Sequence, residues 1–84
     1  MEDDRGRYYY PFPQNKHVRM YVRKGAQEEL EFRLWNQDDP HMWEAHGWVP
    51  YSAVEQAKAM YKGGPFDPQQ AYDPLLAKET LGFD

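Results

Sequence analysis

Two runs, Val18-Arg19-Met20-Tyr21-Val22-Arg23 and Leu30-Glu31-Phe32-Arg33-Leu34-Trp35, place aliphatic or Phe side chains at every second position, with a polar link between them. Alternation of period two puts one side of an extended chain into a core and turns the other outward, so this pattern demands a hairpin of half-buried strands. Pairing Val22 with Leu30, Met20 with Phe32 and Val18 with Leu34 brings the six apolar side chains onto one face. That register leaves Lys24-Gly25-Ala26-Gln27-Glu28 as the loop. A tighter turn at Gly25-Ala26 sets Val22 against Glu29 and Met20 against Glu31, and is rejected because a one-residue slip turns every side chain to the wrong face.

The outward face then pairs Arg23 with Glu29, Tyr21 with Glu31, Arg19 with Arg33, and Trp35 with His17. Two arginines directly opposite repel, so Glu31 is expected to span diagonally between them, or an anion to sit there.

A hairpin alone is not a stable unit, and a chain of 84 residues has room for one small core. Additional cover has to come from the flanks. On the N-terminal side, Arg5-Gly6-Arg7-Tyr8-Tyr9-Tyr10-Pro11-Phe12-Pro13 puts Tyr8, Tyr10 and Phe12 on one side of an extended segment and Tyr9 and Pro11 on the other. Pro11 and Pro13 cannot donate to a ladder, which restricts the segment to an edge strand or a polyproline-like arm. The edge strand, laid beside the hairpin for part of its length, is the expectation, with residues 1–6 a disordered terminus.

On the C-terminal side the pair Asp-Pro occurs three times, at Asp39-Pro40, Asp67-Pro68 and Asp73-Pro74. Asp can accept the orphan amides of a helix start, and Pro at the next position has no amide to lose. Short helices are expected over Pro40 to His46, ended by Gly47, and over Pro74 to Thr80, ended before Gly82. Ser52-Ala53-Val54-Glu55 has the spacing of a capping box and opens the principal helix, Ser52 to Lys62, stopped by Gly63-Gly64-Pro65. Ala53, Ala57 and Tyr61 share a row with Val54 and Met60 beside it, so that row is expected to lie on the sheet. The fold expected is therefore α+β: a small antiparallel hairpin sheet, extended by an edge strand from Tyr8 to Phe12, with one principal helix and two short ones, in a single domain.

Charge is unevenly spread. Arg5 to Gln27 carries six basic residues and no acid, whereas Glu28 to Asp84 carries four basic and eleven acidic ones, within a net charge of −4. Such segregation can create a local positive field on an acidic chain. Aromatic residues make up 17% of the chain, so either these rings form an unusually aromatic core or some of them face a partner.

Absence of cysteine removes disulfides, thiolate metal sites and cysteine nucleophiles, and makes a reducing cytoplasm the expected setting. No apolar run approaches the roughly 20 residues of a membrane span, so no membrane association is expected. Asp38, Asp39, His41, Glu44 and His46 cluster in sequence, but His41 and His46 are five apart and do not share a helical face. No metal or other cofactor is expected. Ser52 serves as a cap, Thr80 lies near the chain end, and Gly63-Gly64-Pro65 reads as a helix stop rather than a phosphate loop, so no catalytic constellation is expected.

What remains is binding. Trp, Tyr and Arg are the residues enriched among interface anchors, and Tyr8, Tyr10, Arg19, Tyr21, Arg33 and Trp35 are the candidate partner-binding side chains. A small non-enzymatic interaction or adaptor domain is expected, with a protein partner or a second copy paired along the hairpin edge. The alternative is a single-stranded nucleic-acid binder, in which the tyrosines stack on bases and the arginines meet phosphates. Against that alternative stands the acidity of the whole chain.

Overall fold

The structure, a computed structural model, describes residues 1–61, 63 and 68–82. It contains one antiparallel sheet of five strands in simple meander order: β1 Glu2–Asp3, β2 Gly6–Tyr9, β3 Val18–Lys24, β4 Leu30–Asn36 and β5 Val49–Pro50. Among the described residues four α-helices accompany it, α1 His41–Ala45, α2 Tyr51–Met60, α3 Pro68–Ala71 and α4 Pro74–Leu81, with a 3-10 turn at Ala26–Glu28. The chain is thus a small α+β fold.

The long β3–β4 hairpin is its centre. Val22 opposes Phe32, Met20 opposes Leu34 and Val18 opposes Asn36. This register lies two residues from the one expected from the sequence, and the loop is Gly25 to Glu29, closed by Lys24 opposite Leu30 and by a 2.8 Å bond from the Gly25 amide to the Glu29 carbonyl. A shift of two keeps every side chain on its own face, so the apolar pattern cannot tell these registers apart. The outward pairs tell them apart. Arg23 now opposes Glu31, Tyr21 opposes Arg33, and Arg19 opposes Trp35 instead of another arginine. The expected arginine clash disappears, and Arg23 Nε meets Glu31 Oε1 at 2.6 Å.

β2 lies beside β3 with Tyr8 opposite Tyr21 and Tyr9 opposite Met20, and it stops before Pro11, where the ladder can no longer be fed. Beyond it Phe12 packs against the core with Tyr9 instead of following Tyr8 and Tyr10. Residues 1–6 are folded rather than disordered: Glu2 and Asp3 pair with Arg7 and Gly6 around the two-residue link Asp4-Arg5. Gly6 sits at φ 130°, a conformation costly for any side-chain-bearing residue.

One face of the sheet carries the core. Met20, Val22 and Phe32 are at most 2% exposed and meet Tyr9, Val54 of α2, Ala71 of α3 and Ala77 of α4. The Tyr9 hydroxyl donates to the Ala71 carbonyl at 2.7 Å and accepts the Asp73 amide at 3.1 Å, tying the α3–α4 joint to the sheet. Arg7 reaches the far end of α4, donating from Nη1 to the Leu81 carbonyl at 2.7 Å.

The helix starts differ from their sequence signatures in two of three cases. At α4, Asp73 Oδ1 accepts the Leu75 and Leu76 amides as expected, and Gly82 closes the helix at φ 81°. At α1 the Asp39 side chain makes no cap bond; its backbone carbonyl accepts the Met42 amide instead. At α2 the capping box does not form, because the helix begins one residue earlier, at Tyr51, and Glu29 Oε1 from the hairpin loop takes the Ser52 amide at 2.8 Å. The buried row of α2 is centred on Val54, with Tyr51, Lys58 and Tyr61 half-buried, while Ala53 and Ala57 are exposed and Met60 is 75% exposed. A row with more apolar area than two alanines has won the sheet. The Asp67 cap and the Gly64-Pro65 part of the expected helix stop, with Lys62, lie outside the described residues.

Candidate binding face

The other face of the sheet has no core helix on it. Its side chains are alternate residues of β2, β3 and β4, so parity alone brings Tyr8, Arg19, Tyr21, Arg23, Glu31, Arg33 and Trp35 together. All six candidate partner-binding residues lie here, since Tyr10 joins through an edge-to-face contact with Tyr8 at 5.7 Å. They are not equally accessible. Tyr21 is fully buried and Tyr8 is 8% exposed, whereas Tyr10, Arg19, Arg33 and Trp35 are half-buried.

Two tryptophans from outside the hairpin complete the layer. Trp43 of α1 sits edge-on to Tyr21 at 5.1 Å, and Trp48 sits edge-on to Trp43 at 6.1 Å. Arg33 holds that corner: its Nε donates to the Trp43 carbonyl at 3.0 Å and to the His46 carbonyl at 3.2 Å, satisfying free carbonyls at the end of a five-residue helix.

Guanidinium groups alternate with these rings. Arg19 lies 4.7 Å from the centre of Tyr8 and 4.9 Å from Trp35; Arg5 lies 5.4 Å from Trp35 and 6.0 Å from Trp43; Arg33 lies 4.0 Å from Trp43. Arg23 covers Trp48 at 4.3 Å, and Lys16 approaches Tyr10 at 5.2 Å. Stacking of this kind contributes ~0.5–1 kcal/mol each where water reaches the pair, and it holds each guanidinium flat with its N–H edges available.

Among the described residues two carboxylates pair with these cations, Glu31 with Arg23 and Asp3 with Arg19. Arg19 Nη1 meets Asp3 Oδ2 at 2.9 Å, the Tyr21 hydroxyl donates to the same oxygen, and the Arg5 amide donates to Oδ1 at 2.8 Å. Burial pushes the Asp3 carboxyl up, but the Tyr21 hydroxyl, the Arg5 amide and the Arg19 charge outweigh it and hold the group below its usual value. Burial, with the donated bond to Asp3, keeps the Tyr21 phenol protonated to higher pH than usual. Arg5 is exposed and has no carboxylate partner among the described residues, and Arg19 Nε is buried without a hydrogen-bond partner.

Asp3, Trp43 and Trp48 were not legible as members of this face. A Gly two residues after an Asp in a polar N-terminus was the available signal for the β1–β2 turn. Nothing in the sequence fixes which way Trp43 and Trp48 turn, because they reach the sheet through contacts distant in the chain.

Elsewhere the chemistry is sparse. His41, Glu44 and His46 are all exposed, and among the described residues no three His, Asp or Glu converge in a way that could hold a metal ion. An apolar groove of about 360 Å³ opens on the core side, lined by Phe32, Leu34, Met42, His46, Gly47, Val49 and Tyr72. Among the described residues no helix is long and apolar enough to cross a membrane. Compared with known proteins, the chain matches no family model, no curated protein and no solved structure.

Proposed function

We propose that the protein is a small non-enzymatic interaction domain whose working surface is the ring-and-arginine face of the sheet, and that its partner is another protein. The observation that carries this reading is the composition of that face. Five cations (Arg5, Lys16, Arg19, Arg23, Arg33) stand against two carboxylates (Asp3, Glu31), among six Tyr and Trp rings, on a chain of net charge −4. A core needs no cations. A layer that only shields Tyr21 would be better built from apolar side chains, because arginine loses hydration when it is covered. Arg, Tyr and Trp are the side chains that anchor interfaces.

The setting proposed is the cytoplasm, consistent with a chain that has no cysteine. Self-association belongs to the same proposal, since a second copy is one acidic partner. Pairing along the hairpin edge is a poor route to it: β2 and β5 already flank the hairpin, and the outer strands are two residues long, one of them ending in Pro50.

Single-stranded nucleic acid is the second reading, favoured by the same guanidinium-flanked rings. Sedimentation velocity at low and high salt, with and without a labelled oligonucleotide, separates the two. The proposal expects no oligonucleotide bound at moderate salt; an oligonucleotide carried at low salt and released steeply as salt rises would replace it with the second reading.

A further inference from the structure

The site that the Asp3 carboxylate occupies has the form of a receptor filled from within. Asp3 comes from a strand of two residues, and what holds that strand in place is the carboxylate with its contacts to Arg19, Tyr21 and the Arg5 amide, plus a short ladder to β2. The Tyr8 amide donates to the Met1 carbonyl at 2.9 Å along that ladder. Asp3 meets the Arg19 guanidinium through Nη1 alone, and Nε, which faces the opposite edge, is buried without a hydrogen-bond partner. A planar guanidinium edge is shaped for a carboxylate that takes two nitrogens at once. Arg5, at the turn just beyond, adds a second guanidinium on the same Trp35 ring with no carboxylate of its own among the described residues.

From this arrangement we infer that the element recognised by the face is an extended acidic peptide segment, which takes the place of β1 on the outer edge of β2 and sets one carboxylate on Arg19 and Tyr21 where Asp3 now lies. The inference rests on the interaction-domain reading and gives it a partner chemistry. The edge of β2 supplies alternating main-chain donors and acceptors that match the backbone of an extended peptide, and the ring layer supplies cations for its further acids. A strand of two residues opens at low cost, and while closed it competes with any incoming segment as a tethered ligand. Asp3 thereby sets the affinity of the site for acids from elsewhere.

The test uses the full chain, labelled with nitrogen-15, and a ten-residue peptide of alternating Glu and Asp as probe. Its Gln/Asn counterpart and a ten-nucleotide oligothymidine are the comparisons. The acidic peptide is expected to shift the Arg5, Gly6 and Tyr8 amides, and its neutral counterpart to leave them alone. Asp3→Asn empties the site of its internal carboxylate and should tighten the peptide about tenfold or more, the worth of one hydrogen bond to a charged group. Asp4→Asn, which changes charge equally at an exposed turn position, should not.

Peptide binding on this face that Asp3→Asn fails to tighten overturns the exchange of β1 while sparing the interaction reading. Failure of the peptide to bind either form overturns the acidic-segment inference, and binding of the oligothymidine in its place overturns both. Should Asp3→Asn not fold, the unaltered chain decides. Release of Asp3 must move the Arg5 amide towards its free position as peptide is added, and an Arg5 amide that stays put on the bound protein contradicts the inference.

Discussion

The two faces of this sheet solve the problem of cover by opposite means. On one, Met20, Val22 and Phe32 meet Val54, Ala71 and Ala77 in an apolar core in which the Tyr9 hydroxyl is the polar tie. On the other, a fully buried tyrosine, Tyr21, lies under rings and guanidiniums whose polar edges reach water. The first face gains by removing apolar area from water, roughly 25 cal/mol per Å². The second gives up part of that gain by keeping charges at its surface, where the proposed binding would use them. The contrast separates apolar burial from charged display by location within a single layer of backbone.

Mutations can break that contrast in order of severity. Phe32→Ala, at the centre of the core face, should cost about 3–5 kcal/mol and leave little folded protein, as read by chemical denaturation. Tyr9→Phe removes one hydroxyl that serves both the Ala71 carbonyl and the Asp73 amide, and should cost about 1–3 kcal/mol with the α3–α4 joint loosening first in hydrogen exchange. Asp73→Ala should cost about 1 kcal/mol and fray the start of α4. Arg5→Ala, on the binding face, should change the melting temperature by a degree or two and weaken acidic-peptide binding severalfold, because its guanidinium is exposed and stacked rather than buried.

Acid should act on the binding face before the core. The Asp3 carboxyl is held below its ordinary value, near 3.9, so its contribution is complete above that pH and disappears as pH falls through its lowered folded value. Release of β1, followed through the Arg5 amide, is therefore expected below about pH 4. Alkali should act on both faces: burial raises the Tyr9 and Tyr72 phenols on the core side and the Tyr21 phenol on the other, so stability should hold up to the ordinary phenol value near 10 and decline as pH rises beyond it.

How much of this the sequence disclosed follows the range of the interactions. The hairpin, its faces and the Asp73-Pro74 helix rest on neighbours within a few residues, and they read directly. The register slipped by two because the apolar face is the same in both registers; the decision lies in Arg23 with Glu31 and in a loop where Gln27 and Glu28 both take left-handed φ values of 58° and 61°. The orientation of α2 was obscured because the group that takes its Ser52 amide, Glu29, stands 23 residues away in the chain, in the hairpin loop. Five of the six expected residues share one face through strand parity and Tyr10 joins them through its ring contact with Tyr8, while Asp3, Trp43 and Trp48 reach it only through tertiary contacts.

The most direct measurement is a paired one on Arg5→Ala/Arg33→Ala: the melting curve, and the affinity for the alternating Glu-Asp peptide, each against the unaltered chain. The account predicts a large loss of affinity with a melting temperature lowered by only a few degrees, since Arg33 also serves the Trp43 and His46 carbonyls. Unchanged affinity, or a fold lost together with the binding, would show that the ring-and-arginine layer is simply a second core.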